Sequence, residues 1–460
     1  MRHIFMIFSF ITLQLSAQQP AQYDTAQTNW YFGGGCGMDV SVYPPTQLTG
    51  GMTGASVKIT QEGTATVSHN GRMLFYTDGK YIWNHNHQLM AGGETPADTL
   101  MGGQSATQSS MIIPFPGHPG SYFVFTLDDF LHGLVNGLRV TKVLMCADDS
   151  LGTIDTTYRN VLLASNMGEK MCAIHQKNND GYWVLTHAIT SDSFYCYPVT
   201  SDGVGDPIIS KTGSIHDSTY SAPEYALGEM KFAPNGEYGA LAVGNTPYSR
   251  IELFDFDTAT GIVSNGRSVT QAVPGGVTRN FYGVCFSANS CNLFVTDLMQ
   301  TELWWYNMCA GSDSLIQASR TLLYTFHITT GGLERAPNGV VYCVYSSGYY
   351  TSSGVAAIEH ADTYPVVRDS IVSFASNYIG LCYFIDDYSY PVDAFPCELA
   401  TDVETQDIQT SSAEPTVRKL YDLNGIEQPI ADMGRLAAGY YLLVTESKHK
   451  RTVKKLVLVH

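Results

Sequence analysis

Met230-Lys-Phe-Ala-Pro-Asn-Gly-Glu-Tyr-Gly-Ala-Leu241 decides how the rest of this chain is read. A short apolar segment runs into Pro-Asn-Gly, and a second segment of alternating aromatic and aliphatic character leaves it. Asn-Gly between two apolar runs is a strong hairpin signal, because both residues tolerate the positive φ of a tight turn. The unit recurs as Ala65-Thr-Val-Ser-His-Asn-Gly-Arg-Met-Leu-Phe-Tyr-Thr-Asp78, Met111-Ile-Ile-Pro-Phe-Pro-Gly-His-Pro-Gly-Ser-Tyr-Phe-Val-Phe125 and Ala173-Ile-His-Gln-Lys-Asn-Asn-Asp-Gly-Tyr-Trp-Val-Leu185. It returns again as Val284-Cys-Phe-Ser-Ala-Asn-Ser-Cys-Asn-Leu-Phe-Val295 and Leu333-Glu-Arg-Ala-Pro-Asn-Gly-Val-Val-Tyr-Cys-Val344.

Counted between Leu74, Tyr122, Tyr182, Tyr238, Leu293 and Val341, the second strands recur every 48 to 60 residues. That interval fits a four-stranded β-propeller blade with its loops. Arg250-Ile-Glu-Leu-Phe-Asp-Phe-Asp-Thr-Ala-Thr-Gly261 and Glu302-Leu-Trp-Trp-Tyr-Asn307 then read as outer strands of their blades. Six hairpins and the strand-rich remnant from Gly354 to Ile385 suggest seven blades, with six or eight as alternatives. The fold class is all-β. A propeller closes its ring, commonly by lending an N-terminal strand to the last blade, and Asn29-Trp-Tyr-Phe-Gly33 is the candidate. Closure removes sheet edges that would otherwise invite aggregation. The 43 Gly, 29 Tyr and 20 Phe beside only 15% charged residues agree with a chain made of strands and turns.

The two ends carry a different message. Met1-Arg2-His3, the apolar run Ile4 to Leu15 and Ser16-Ala17 have the layout of a signal peptide over residues 1–17. The run is too short for a membrane anchor, and no later stretch approaches the roughly 20 apolar residues of a transmembrane segment. With 42 acidic against 25 basic residues, the net charge of −17 disfavours nucleic acid and anionic lipid as partners. The ten cysteines contain no CxxC pair, which leaves a zinc knuckle unsupported. An exported chain permits disulfides, and the local candidate is Cys285 with Cys291, flanking the turn Phe286 to Ser290; their Cβ separation decides it.

The repeats place the propeller over 18–397, and 398–415 turns polar, loses its aromatics and reads as a linker. Beyond it, Val417-Arg-Lys-Leu-Tyr-Asp-Leu-Asn-Gly425, Gly439-Tyr-Tyr-Leu-Leu-Val444 and Thr452-Val-Lys-Lys-Leu-Val-Leu-Val459 read as strands of a small β-sandwich-like module over 416–460. Lys448, His449, Lys450, Arg451, Lys454 and Lys455 make a basic tail with no acid after Glu446. It reads equally as a docking surface or as an edge strand guarded by lysines.

Two resemblances are carried by these residues. Asn29 to Gly33, Leu74-Phe-Tyr-Thr-Asp-Gly79, Ile82-Trp-Asn-His-Asn-His-Gln88 and Ser105-Ala-Thr-Gln-Ser-Ser110 with Ile112-Ile-Pro114 resemble the propeller of secreted and gliding-associated Bacteroidetes proteins. Gly181-Tyr-Trp-Val-Leu-Thr-His187, Phe194-Tyr-Cys-Tyr197 and Ile379-Gly-Leu-Cys-Tyr-Phe384 extend that likeness along the propeller. Leu420-Tyr-Asp-Leu-Asn-Gly425, Leu436-Ala-Ala-Gly-Tyr-Tyr-Leu-Leu443 and the Lys454-Lys455 strand resemble the type A C-terminal sorting domain of the type IX secretion system. The second resemblance implies a sorting signal that includes Gly425, Gly439, Tyr440, Lys454 and Lys455. It also implies the secretion machinery as a partner, passage through the periplasm to the cell surface or medium, and release or attachment to surface polysaccharide.

Catalytic signatures are weak. No Gly-x-Ser-x-Gly elbow exists, and Gly33-Gly-Gly35 lacks the ending of a phosphate loop. His85 and His87 would share a strand face as a metal pair might, but no third ligand stands nearby and a rim hydrogen-bonding role is favoured. Asp255 and Asp257 read as the end of a strand entering a turn rather than as calcium ligands. Cys36 reads as a disulfide partner or buried thiol rather than a nucleophile. Trp304, Trp305, Tyr306, Tyr345, Tyr349 and Tyr350 suit packing between blades or, less favoured, a rim that meets carbohydrate or protein. The expectation is therefore an exported binding or structural module with no catalytic, cofactor or metal residues, with surface polysaccharide or another surface protein as its candidate partner. Its rival is a propeller hydrolase or lyase acting on glycans. Carboxylates or histidines gathered at one mouth of the axial channel would favour the enzyme, and an amide- and aromatic-lined rim would favour the module.

Overall fold

The computed structural model describes residues 27–52, 62–69, 72–145, 151–177, 181–216, 223–244, 249–270, 279–347, 353–374 and 379–387, and in the C-terminal part 417–422, 427–428, 439–447 and 450–458. The first 399 residues form one unit and residues 400–460 a second.

The first unit is a seven-bladed propeller of antiparallel sheets. Blade 1 holds Ala65–His69, Arg72–Thr77 and Ile82–Asn84. Blade 2 holds Ser110–Pro114, Ser121–Leu127 and Leu138–Leu144, the last pairing with both Thr153–Ile154 and Val161–Ala164. Blade 3 holds Met167–His175, Tyr182–Ala188 and Ser193–Thr200, with Gly203–Val204 and Ile208–Lys211 outside them. Blade 4 runs Met230–Phe232, Tyr238–Val243, Arg250–Asp257, Ile262–Ser268, and blade 5 runs Phe281–Phe286, Asn292–Asp297, Glu302–Asn307, Thr321–Thr325. Blade 6 runs Thr329–Arg335, Val341–Ser346, Ser353–Glu359, Val366–Phe374. Each hairpin expected from the sequence is the first pair of strands of its blade. First strands such as Met167–His175 and Phe281–Phe286 are wholly buried, whereas last strands such as Thr321–Thr325 are largely open to solvent.

Asn29–Phe32 enters the last blade as expected, but it does not come alone: it pairs with Cys36–Asp39, which pairs with Thr46–Leu48, and these three strands are blade 7. The remnant after Gly354, expected as the seventh blade, supplies the outer strands of blade 6 instead: Ser353–Glu359 pairs with the second strand Val341–Ser346 on one side and with Val366–Phe374 on the other. Residues 379–386 then lie inside blade 7 and bridge its neighbours. Gly332 N–H donates to the Ile379 carbonyl at 2.7 Å, Thr64 N–H to Leu381 at 3.4 Å, and Tyr383 N–H to Thr64 at 2.8 Å.

Seven apolar seams complete the ring. Trp30, Phe32 and Met38 pack with Tyr342 and Val344 of blade 6, while Tyr31 packs with Met73, Tyr76 and Trp83 of blade 1. Similar clusters join blades 1 and 2, 2 and 3, 3 and 4, 4 and 5, and 5 and 6. Burial of apolar area in these seams is the main cohesive term, since neighbouring blades share few backbone hydrogen bonds.

The candidate disulfide is corrected. Cys285 lies on the first strand of blade 5 directly opposite Phe294, and it is a buried free thiol. Cys291, in the turn, is bonded instead to Cys309, which follows the third strand. The ladder explains the choice: Asn292 is paired with Asn307, which carries the two turns to the same rim. Cys172, Cys196, Cys343 and Cys382 are also buried free thiols, Cys36 is buried too, and Cys146 and Cys397 lie outside the described residues.

The second unit shows one four-stranded antiparallel sheet in the order Glu427–Gln428, Val417–Asp422, Gly439–Ser447, Lys450–Leu458. A sandwich-like module was expected, and the described residues form a single sheet. No helix among the described residues is long and apolar enough to cross a membrane.

Candidate functional site

Polar chemistry in this molecule concentrates on the propeller axis. The first strands of blades 3, 5 and 6 each carry an irregularity, between Met167 and Met171, Phe281 and Val284, and Thr330 and Leu333. Such bulges turn backbone N–H groups out of the ladder, and buried donors need acceptors. Two side chains meet that need. Gln108 Oε1 accepts from Met171 N–H of blade 3 at 3.0 Å and from Met230 N–H of blade 4 at 2.8 Å. Glu229 accepts from Val284 N–H of blade 5 at 2.9 Å, from Leu333 N–H of blade 6 at 3.1 Å, and from the Tyr383 hydroxyl of the closing segment at 2.6 Å.

Toward one end, Glu169 accepts from Thr107 N–H at 2.9 Å and Phe130 N–H at 2.7 Å, while Lys170 Nζ donates to the carbonyls of Ala226 and Gly228 at 2.8 and 3.4 Å. Glu62 is held differently, between two hydroxyls: Ser105 at 3.1 Å and Tyr282 at 2.6 Å. Toward the other end, Lys231 contacts Glu334 and lies 3.5 Å from Asp386, whose second oxygen accepts from Phe232 N–H at 2.8 Å. Arg335 donates to the Asp386 carbonyl at 2.7 Å, and His175 Nδ1 pairs with Asp387 at 2.8 Å. A recess of about 190 Å³, including solvent at its mouth, is lined there by Lys231, Phe232, Cys285, Glu334, Arg335 and Asp386, among others.

Burial dominates the electrostatics. It pushes the Glu62 and Glu229 carboxyls up to about 8 and those of Glu169 and Asp386 to about 7, against the hydrogen bonds that favour the ionised forms. Burial lowers Lys170 to about 7. It would lower Lys231 too, but Glu334 and Asp386 override it and hold that amine above the ordinary lysine range.

No family model matches this chain, and no curated protein does. Among solved structures it is similar to a protein from Lactobacillus plantarum, at 13% identity over 77% of this chain and 98% of that one, with a TM-score of 0.48. It is also similar to a putative 6-phosphogluconolactonase from Bacteroides uniformis, at 9% identity over 86% and 97% of the two chains, with a TM-score of 0.40. A putative 6-phosphogluconolactonase from Bacteroides fragilis stands at 10% identity over 86% and 92%, with a TM-score of 0.39.

The sequence candidates fall elsewhere. His85 and His87 do not share a strand, since the strand ends at Asn84; His87 sits at φ 60° with Nδ1 3.1 Å from the Tyr76 hydroxyl, and His85 Nε2 is 3.0 Å from Arg72. Asp257 caps its turn through Ala259 N–H at 2.9 Å, and Asp255 pairs with Arg267 at 2.8 Å. Burial pushes the Cys36 thiol up to about 12, away from nucleophilic use. Tyr306 is buried in the seam between blades 4 and 5, and half-buried Trp304 lies between Arg279 and Arg320, 5.4 and 4.5 Å from its ring. Tyr345 packs on Phe326 at 5.1 Å, and Tyr349 and Tyr350 lie outside the described residues. Asp128, Asp129 and His132 bring ligand-type atoms together, but Asn136, Ser105 and His132 backbone N–H groups already occupy the carboxylates as loop braces. Of the sorting residues, Gly439 and Tyr440 open one strand, Lys454 and Lys455 pair with Leu443 and Leu442, and Gly425 lies outside the described residues, as do residues 1–17 and 398–415.

The axial acceptors were not anticipated. A usable signal was present: Gly168-Glu169 and Gly228-Glu229 each set a small residue and an acid near the head of an inner strand.

Proposed function

We propose that this chain is an exported propeller that serves as a binding or structural module at the cell surface or in the medium, delivered by the type IX secretion system through its C-terminal unit. The observation that carries the module reading is the commitment of the axial carboxylates. They do gather, as an enzyme's would, but Glu169, Glu229 and Asp386 each accept backbone N–H bonds from other blades. An acid or base must be free to reach a substrate proton, whereas these groups hold the ring together. This favours the module over a glycan hydrolase or lyase.

Export is supported by the layout of residues 1–17 and by the Cys291–Cys309 bond, a linkage typical of oxidising compartments. The sorting assignment rests on the terminal motifs and on the strands that carry them. Its partners would be the secretion machinery and, for the propeller, a surface polysaccharide or another surface protein. Deleting residues 416–460 is expected to abolish delivery to the surface or medium; undiminished delivery rejects the sorting assignment. Saturable binding of the delivered protein on a glycan array, without product formation, supports the module. Turnover of a bound glycan would sink it.

A further inference from the structure

The seam between blades 3 and 4 contains a feature that neither ring closure nor sorting uses. His187, on the second strand of blade 3, and His216, on the loop after it, stack with ring centroids 3.8 Å apart and planes 24° from parallel. Both are buried, 1% and 2% exposed. Neither ring nitrogen of His187 has a hydrogen-bond partner, and Nε2 of His216 has none. Buried polar atoms left this way are costly and call for an explanation. Near-parallel rings at this spacing cannot both direct a lone pair at one ion, so a metal is not that explanation.

The charged neighbours come from every side of the seam. Lys170, from the first strand of blade 3, is held by the carbonyls of Ala226 and Gly228. Arg250 and Glu252 come from the third strand of blade 4, and Arg250 Nε donates to Glu252 Oε1 at 2.5 Å. Glu252 also binds Ser214 and lies 3.9 Å from His216 Nε2, while Phe194 meets His187 edge-on at 4.5 Å. Below about pH 7, where Lys170 is protonated, two cations and one anion therefore surround two neutral rings. A proton on either ring adds a third cation to a site whose single carboxylate is already engaged. Burial, with Lys170 and Arg250, lowers His216 to about 4 against the pull of Glu252, and burial, His216 and Lys170 hold His187 well below its ordinary value.

His216 lies on the stretch 212–216, a strap fastened by three backbone bonds: Thr212 N–H to Asp192 at 3.1 Å, His216 N–H to Ser191 at 3.1 Å, and Thr190 N–H to His216 at 2.7 Å. We propose that the stacked His187–His216 pair is an acid-operated latch, which on taking up a proton releases the strap 212–216 from the seam between blades 3 and 4 while the ring stays closed. Once outside the seam, His216 regains the basicity of a solvated imidazole, and that gain drives the opening. Neutral surroundings keep the strap shut, and mildly acidic ones open it.

Hydrogen exchange of the full chain, corrected for intrinsic rates, reads the latch directly. Between pH 7.5 and 4.5 the amides of Thr212 and His216 should lose protection on the order of 50- to 100-fold, the linkage expected for one histidine moving from about 4 to 6.5 on release. Amides of the first strands should not follow. His187→Phe keeps a ring against His216 and removes one proton site, and it should displace the opening by at least half a pH unit. NMR titration of the wild-type imidazoles needs no variant and should show two rings still neutral at pH 5.5. A flat strap profile, opening of the whole ring at the same pH, rings titrating near 6.5 in the closed form, or a His187→Phe profile that overlays wild type would each overturn the proposal.

Discussion

The joint between blades 4 and 5 and the joint that closes the ring perform the same task with different means. Blades 4 and 5 follow one another in sequence, and one backbone bond from Glu229 to Tyr282 at 2.7 Å links them above an apolar seam. The closing joint has to bring Thr64 together with Leu381, 317 residues away. Loop closure on that scale costs about 1.6 kcal/mol more than joining residues some 50 apart, a modest excess because the entropy grows only with the logarithm of length. The closing joint has two backbone–backbone bonds, Thr64 to Leu381 and Tyr383 to Thr64, where the joint between blades 4 and 5 has one. Thr64 both donates to and accepts from the closing segment, the Cys382 thiol donates to the Tyr31 carbonyl at 2.7 Å, and Gly380 lets that segment lie against blade 1. A joint between sequence neighbours tolerates a loose fit, whereas one between chain ends depends on close backbone approach.

The largest test of that difference is a single methyl group. A Cβ on Gly380 would stand 1.7 Å from the Glu62 carbonyl oxygen, a backbone atom with nowhere to go. Gly380→Ala should cost about 3 kcal/mol or more, by forcing the closing segment off blade 1. Gly168→Ala, in a joint between sequence neighbours, would meet nothing nearer than 3.5 Å and should stay within about 0.5 kcal/mol of wild type. Urea unfolding of the two variants measures the contrast, and equal losses would break the comparison.

Glu229 couples the two kinds of joint, because it accepts from blades 5 and 6 and from the closing segment at once. Glu229→Ala should strand three buried donors and cost about 3 kcal/mol, whereas Glu229→Gln retains one carbonyl acceptor and should cost about half as much. Chemical denaturation orders the pair; a Gln variant no better than Ala would mean that the charge, not the acceptor geometry, holds the axis.

The same contrast explains what could be read from the sequence. Hairpins were legible because an Asn-Gly turn and its two strands lie within a dozen residues, as in Met230–Leu241. Blade 7 was legible only in its first strand, Asn29–Phe32, because its strands Asn29–Leu48 and the segment 379–386 come from opposite ends of the propeller and share no turn. Cys291 looked like the partner of Cys285 for the same reason: proximity in sequence stood in for the ladder, which places Phe294 opposite Cys285. The acceptors Gln108 and Glu229 were hidden because a polar residue beside a strand normally reads as solvated, and the donors they serve arise from bulges that no local pattern announces.

The smallest expected effect separates the two chemistries along the axis. Glu229 faces backbone donors, whereas Glu62 lies between the hydroxyls of Ser105 and Tyr282, which can accept as well as donate and so can accommodate a protonated carboxyl. Its folded pKa of about 8 lies above the ordinary 4.5, so between those values the folded state binds more of a proton than the unfolded one. Its contribution is therefore complete below about pH 4.5 and is lost as pH rises toward 8, with a slope no steeper than about 1.4 kcal/mol per pH unit. Glu229, Glu169 and Asp386 are raised in the same direction and share that slope. Glu62→Gln keeps the shape and deletes one share, so the fall in unfolding free energy between pH 7 and 8 should shrink by up to about 1 kcal/mol. An unchanged slope would mean that Glu62 takes up no extra proton in the folded state, against the fit of a protonated carboxyl between two hydroxyls.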